Sequence, residues 1–547
     1  MEIVTEFNNY FSTIGSKLAE EIQNTDYIFK EEECASYIFM YQTNVEEVHQ
    51  TIKDLKNNSS PGTHTITKQD ILHISDIIGG ILANLINYVL SSGIFPEELK
   101  ISKIIPIYKG GQHSDIGNYR PISILNTFSK IVEKIIKTRI VKYIQQTFKF
   151  DSYQYGFQKK SSTLATNVDF LEYITTELDK KKHVAVVFID LKKAFDTVNI
   201  ELMLDKMHKM GIRGVAYQLM KSYSTGRQQF TVVNGSSSSK SVINVGVPQG
   251  SVLGPVEYLM YVHSLKYVGL RARYFMFADD TALVYSAAEL LDLETAVNYD
   301  LDIYYKWLCR NKLTINVKKT VYMLIKQKNK VDGDLALVIN GANIQRVKNY
   351  KYLGLEITSD LTWDSHINSI IKKIVPMVGA IRRCSGYLNN NSRALLYNSF
   401  VETHLRYLIP CWGNAAKHLL NKLQRVQNKA IKVIYSIEYY TPTIEIYKQT
   451  DKMNIHNLKI LEQVKIIHNI KTKQIKINSA LKQARDYHKH DTRRKNNLRN
   501  EYVRTKKAQD SPIYRSIQAY NSVPEDVINT QTVSNLCNKL KLHLKSI

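Results

Sequence analysis

Apolar and polar positions change period along this chain, and the changes mark its elements. In "TNVEEVHQTIKDLK" (43–56) the apolar residues recur at helical spacing, and residues 1–60 as a whole read as short amphipathic helices. The turn cluster "NNSSPGTHTIT" (57–67) closes that region, and a helical stretch follows to about residue 100. "KIIPIYKGGQ" (103–112) starts as a strand and breaks at Lys109-Gly110-Gly111. "NYRPISILNTFSKIVEKIIKTRIVKYI" (118–144) reads as a loop leading into a long helix. "HVAVVFIDLKKAFDTV" (183–198) opens as an unbroken apolar run, the mark of a buried strand, and then turns helical. "RQQFTVVNGSSSSKSVINVGVPQG" (227–250) alternates around a Gly/Ser turn, as a hairpin does. "RYFMFADDTALVYS" (273–286) reads as two short strands with two acids at the bend. An amphipathic helix over 289–308, a strand pair in "NYKYLGLEIT" (349–358) and helices from 366 to 440 follow, and the tail to 547 is helical and basic. Strands clustered mid-chain with helices on both sides predict an α+β fold.

Composition narrows the partner. A chain of 547 residues predicts about three to five domains or subdomains, and 44% hydrophobic residues suffice for a packed core. The formal charge of +24 favours a polyanion. The cysteines at 34, 309, 384, 411 and 537 form no CxxC pair, so neither a zinc knuckle nor a disulfide framework is encoded. Scattered cysteines fit a reducing intracellular compartment. The N-terminus lacks a signal pattern, and "IIGGILANLINYVLSSGIF" (77–95) carries Gly, Asn and Ser, as a buried helix would. These features predict nucleic acid as the partner and no membrane.

The candidate chemistry sits at Asp279-Asp280. Side chains alternate along strands, so at a tight bend one acid can face a site while the other lies beside it. Asp190 ends a different buried strand. Neighbouring strands lie about 4.8 Å apart, so Asp190 and Asp279 can face each other if those strands pair. Crowded carboxylates repel, and a hard divalent cation with oxygen ligands relieves that repulsion. Two such ions about 3.5–4 Å apart serve an in-line phosphoryl displacement. A lone acidic pair in a turn is ordinarily only a solvated turn. The apolar flanks and the second strand-ending Asp set this pair apart.

In sequence order, "IPIYKGG" (105–111) with "NYRPISILN" (118–126), "FIDLKKAFDTV" (188–198), "GVPQGSVLGP" (246–255), "FADD" (277–280), "LTINVKKT" (313–320) and "YKYLGLEIT" (350–358) resemble the motifs of reverse transcriptases, in the flavour of jockey-type non-LTR retrotransposons. The tail segments "VQNKAIKVIY" (426–435) and "SVPEDVINTQTVSNLCNKLKLHL" (522–544) look similar too. The resemblance implies a right-hand polymerase: an N-terminal helical extension (1–95), fingers (96–182 with part of 213–245), an antiparallel palm (183–358), a helical thumb (359–440) and a basic helical tail (441–547). It implies that an RNA template, and also a DNA one, is copied into DNA from a primer 3′-OH, with a DNA primer or target site as partner, using dNTPs and Mg²⁺, or Mn²⁺ in its place.

Roles follow position by position from that resemblance. Asp190 and Asp279 would hold metal, and Asp280 would support them. Phe195 would stack under the incoming sugar and exclude a 2′-OH. Gln249 and Gly250 would line the nascent base pair. Lys109 and Arg120 would contact the triphosphate, and Lys319, or its neighbour Lys318, would protonate the leaving pyrophosphate. Asp196 would cap or bracket the turn after the strand. On the helix over 421–435, Lys422, Arg425, Lys429 and Lys432 form one cationic stripe suited to a phosphate backbone, with Tyr435, Tyr439 and Tyr440 available to stack on bases.

Three departures stand out. Glu257 occupies an apolar position of the family, which raises the reading of a decayed copy. His263-Ser264 stands where the family has Asn-Asp, and Phe277 stands for Tyr. The family's N-terminal endonuclease is expected to be missing. The expected compartment is the nucleus, after a cytoplasmic ribonucleoprotein stage. The rival readings are an inactive nucleic-acid-binding remnant and an RNA-dependent RNA polymerase.

Overall fold

Strands β1 (Ile101–Tyr108), β2 (Tyr119–Leu125), β3 (His183–Ile189), β4 (Arg227–Val233), β5 (Ser236–Ser237), β6 (Ser241–Ile243), β7 (Arg273–Phe277), β8 (Asp280–Ala287) and β9 (Val321–Ile325) build two sheets. In the first, β1 pairs antiparallel with β2 and parallel with β4, and β4 folds back on β5 and β6. In the second the order is Gln345–Arg346, β9, β3, β8, β7; its pairings are antiparallel except the parallel one of Gln345–Arg346 with β9. The computed structural model describes residues 2–23, 25–56, 62–147, 150–325, 333–478, 481–483 and 497–546.

The unbroken apolar run of β3 has a direct cause. The strand lies between β8 and β9, and both faces of the sheet are covered. Ala185, Val187 and Ile189 enter one hydrophobic cluster, with Leu283 and Tyr285 of β8 and Leu293, Val297 and Leu301 of the helix Leu290–Arg310. Val184, Val186 and Phe188 enter a second, with Ala282 and Val284 and with Val168, Phe170 and Leu171 of the helix Thr163–Asp179. Period-two alternation thus divides the core at the sheet. The second cluster continues into the C-terminal helices Asp364–Cys384, Lys417–Tyr435, Ile455–Lys471, Pro512–Ser522 and Val533–Ser546 through Ile374, Leu423, Ile434, Val464, Ile513 and Leu540. The α+β class is therefore correct, with mixed rather than purely antiparallel sheets.

Several elements differ from the sequence reading. The N-terminal residues form one long helix, Glu2–Glu20, whose Phe7 and Phe11 pack with Ile104 of β1. Tyr119–Leu125 is a strand, not a loop. Pro121 disguised it, but Pro121 lies opposite Pro106, so both missing donors fall on one rung of the ladder. Residues after Asp190 run through turns, with Lys193 at φ +49°, and the helix begins only at Ile200, capped by Asn199. The helix Ser75–Ser92 buries only one face; Ile77, Ile81 and Tyr88 on the other are exposed. No helix among the described residues is long and apolar enough to cross a membrane. Part of the turn cluster (57–61) and the first part of the basic run (491–496) lie outside the described residues.

Candidate active site

The apolar stretches flanking the two acids are β7 and β8. They pair from Arg273↔Val284 to Phe277↔Asp280, leaving Ala278 and Asp279 as the two-residue turn. Ala278 has φ +60°, the conformation a primed hairpin turn demands at its first central position. β3 pairs with β8 up to Ile189↔Thr281, so Asp190 follows at the same end of the sheet, one rung beyond. The three acids converge. Burial and the Asp190 charge raise the Asp279 carboxyl, while Arg120 and Lys109 oppose the rise. Burial, Asp279 and Asp190 push Asp280 up to about 6.

The loop "LTINVKKT" (313–320) holds Asp190 through Asn316, a residue the sequence did not single out. Asn316 donates its side-chain amide to Asp190 Oδ2 at 2.8 Å and its backbone N–H to the Asp190 carbonyl at 2.8 Å. Lys319, in the same turn, is exposed and donates its N–H to the Asn316 carbonyl. The signal for Asn316 lay inside "LTINVKKT", but 126 residues separate it from its partner.

Cations from both sheets meet opposite the acids. Lys109 follows β1, and its N–H bonds the Asn118 carbonyl. Arg120 sits on β2 opposite Ile107. Burial and the charges of Arg120, Lys193 and Lys319 lower the Lys109 pKa, and Asp196 counters them. Lys193, unforeseen, reaches from the turn after β3 to the carbonyls of Gly117 and Tyr119 at 3.3 and 3.1 Å. It thereby ties the two sheets together beside the acids.

Phe195 is half-buried and stacks on Tyr258 with centroids 4.6 Å apart. Gln249 donates to Asp196 Oδ1 at 2.7 Å, while the Ser123 N–H donates to the Gln249 carbonyl. Gly250 has φ +128°, and a Cβ there would sit 2.4 Å from the Ser123 carbonyl oxygen, so the loop rests on β2 as only glycine permits. Asp196 does not cap the following helix. It braces Gln249, its Oδ2 is buried without a hydrogen-bond partner, and burial pushes its pKa up to about 6.

The departures from the motif find local answers. Glu257 is buried, accepts a hydrogen bond from Ser224 Oγ at 2.9 Å, and feels the Arg227 charge; burial pushes it up to about 7. A hydrogen-bonded carboxyl at this buried position is compatible with the fold. Ser264 accepts from Lys206 Nζ at 2.9 Å and from Trp307 Nε1 at 3.1 Å, so the position still carries a buried polar junction.

On the helix Lys417–Tyr435, Leu423, Ile431 and Ile434 face the core, while Lys422, Arg425 and Lys429 are exposed on the opposite side and Lys432 is partly so. Two of the four cations hold local partners: Lys422 bonds Asn368 Oδ1, and Lys432 bonds the Tyr439 carbonyl. Tyr439 and Tyr440 are exposed, whereas Tyr435 is half-buried against Tyr397.

Among the described residues no three His, Cys, Asp or Glu side chains gather closely enough to cage an ion alone. The donors nevertheless suit a hard cation that keeps positions open for water and phosphate oxygens, because the acids repel and supply only oxygen.

Residues 107–357 match the family of the reverse transcriptase (RNA-dependent DNA polymerase). The chain is 28% identical, over 74% of its length, to the RNA-directed DNA polymerase from mobile element jockey of Drosophila funebris. It is 27% identical, over 76% of its length, to the probable RNA-directed DNA polymerase from transposon BS of Drosophila melanogaster. The matched part spans 45% and 47% of those two relatives, so the chain covers about half the length of each. The chain is thus similar to RNA-directed DNA polymerases of mobile elements, and its residues 107–357 match the reverse transcriptase family.

Proposed function

We propose that this chain copies RNA into DNA by adding deoxynucleotides from dNTPs to a primer 3′-OH. The observation that carries the reading is the convergence of Asp190 with Asp279 and Asp280 at one end of paired strands, inside the matched domain. In this reading the first sheet belongs to the fingers, the second is the palm, and the helices from Asp364 to Tyr435 are the thumb. Asp190 and Asp279 would hold Mg²⁺, with Mn²⁺ able to replace it. Such ions, when bound, activate the primer hydroxyl and neutralise charge on the phosphates. Arg120 offers a forked donor and Lys109 a point charge to the triphosphate. Lys319 is exposed at the same site, free to lend a proton to departing pyrophosphate. Phe195 walls the sugar pocket, while Gln249 and Gly250, braced on Asp196 and Ser123, floor the base pair. The cationic stripe of the helix Lys417–Tyr435 follows the template–primer backbone. RNA template and primer or target DNA are the partners, and the nucleus, after a cytoplasmic ribonucleoprotein stage, is the place of work. Primer extension on poly(rA)/oligo(dT) with dTTP tests the proposal: product with Mg²⁺ and none with chelator supports it, and no product in either metal refutes it.

A further inference from the structure

The turn that carries Asp279 is held from outside its own hairpin. Residues 153–155 lie along β7, the edge strand of the second sheet. The Tyr155 N–H donates to the Met276 carbonyl at 2.7 Å, and the Met276 N–H donates to the Tyr153 carbonyl at 2.9 Å. Gln154 is buried, and its Oε1 accepts two backbone donors: Gly156 N–H at 2.9 Å and Ala278 N–H at 3.3 Å. Ala278 is the left-handed residue of the turn, immediately before Asp279. At Gly156 a Cβ would stand 2.3 Å from the Ala278 nitrogen, so the backbone there is in direct contact with the turn.

A second layer ties this clamp to the C-terminal region. The buried Tyr155 donates its hydroxyl to Asp169 Oδ2 at 2.7 Å. Asp169 also accepts the Asn478 N–H at 2.8 Å, and Asn478 Nδ2 donates to the Tyr155 hydroxyl at 2.9 Å. The Lys476 N–H donates to the Lys160 carbonyl at 2.7 Å, fixing the crossing segment from its other side. Two distant parts of the chain, residues 153–169 and 476–478, therefore meet behind one two-residue turn.

We propose that Gln154 is a positioning residue for Asp279, and that Asn478, through Asp169 and Tyr155, makes the C-terminal region part of that support. The proposal rests on the polymerase reading for its kinetic consequence, but not for its structural one. A turn with a non-glycine residue at positive φ persists only where its surroundings hold it. Gln154 supplies the acceptor for the one turn amide that precedes the acid. The C-terminal segment limits how far residues 153–156 can withdraw.

Two variants test it in the full chain. Gln154→Met keeps the volume but removes the acceptor, and Asn478→Pro removes both Asn478 donors at an exposed position. Hydrogen exchange of the peptide covering 274–285 is the structural readout. Gln154→Met is expected to speed exchange there at least tenfold, and Asn478→Pro to speed it less, with β3 unchanged. In primer extension, Gln154→Met is expected to lower kcat at least tenfold and raise the Mg²⁺ concentration at half-maximal rate, with KM for dNTP within twofold. Gln154→Glu retains an acceptor and is expected to restore most of the exchange protection. Unchanged exchange over 274–285 in Gln154→Met overturns the proposal whatever the activity. An inactive parent chain whose variant still exchanges faster would instead refute the polymerase reading and leave the clamp standing.

Discussion

In the proposed reading, Phe195 would set the choice of sugar. Its ring is fixed on one side by Tyr258 and meets Phe157 edge-on at 6.1 Å, so it cannot swing aside without breaking two aromatic contacts. Phe195→Ala is expected to let ribonucleotides compete, lowering the ratio of deoxy- to ribonucleotide kcat/KM at least tenfold; unchanged discrimination in single-nucleotide extension would remove Phe195 from that role. Glu257 gives a prediction about stability. Its folded pKa of about 7 exceeds the unfolded value of 4.5, so the folded state binds the proton more tightly. Wild-type stability from this group is full below pH 4.5 and falls as pH rises toward 7. Glu257→Gln lacks that loss. Its stability relative to wild type should rise between pH 5 and pH 8, by up to about 3 kcal/mol in urea unfolding, and then level off. A difference independent of pH would contradict the assignment. At this scale the three acids were legible because each ends or begins an apolar strand. Asn316, Lys193 and Gln154 were not, because their roles depend on partners 126, 76 and 124 residues away.

Elements carry the next layer. β3 was readable because burial on both faces writes an unbroken apolar run. β2 was not, because Pro121 reads as a breaker until its partner Pro106 is known. The span 77–95 was read as a buried helix, yet one face of Ser75–Ser92 stays exposed, since an apolar sequence does not reveal how many neighbours the fold supplies. The helix Lys417–Tyr435 yields the prediction at this level. Its stripe was foreseen from spacing, but Lys422 and Lys432 already hold protein partners. Arg425 and Lys429 should therefore carry most of the phosphate contact. Arg425→Gln with Lys429→Gln is expected to weaken template–primer binding and to reduce the slope of log affinity against log salt by about 1–2. The rate at saturating template–primer should hold. An unchanged salt slope in fluorescence anisotropy would assign the backbone contact elsewhere.

For the whole molecule, the arrangement is one sheet dividing a core, with acids at its end and cations brought to them from a second sheet. Motif order in the sequence was enough to anticipate that meeting, because each motif is a strand end or a loop beside one. What it could not convey is how far the C-terminal helices share the core of the second sheet. The central claim is that Asp190 and Asp279 together run nucleotidyl transfer, and the direct measurement is primer extension by Asp190→Asn and Asp279→Asn chains on an RNA template, with template–primer affinity measured in parallel. The account predicts that each variant loses extension by at least a thousandfold while binding stays within threefold of wild type. Extension retained by either variant would contradict it.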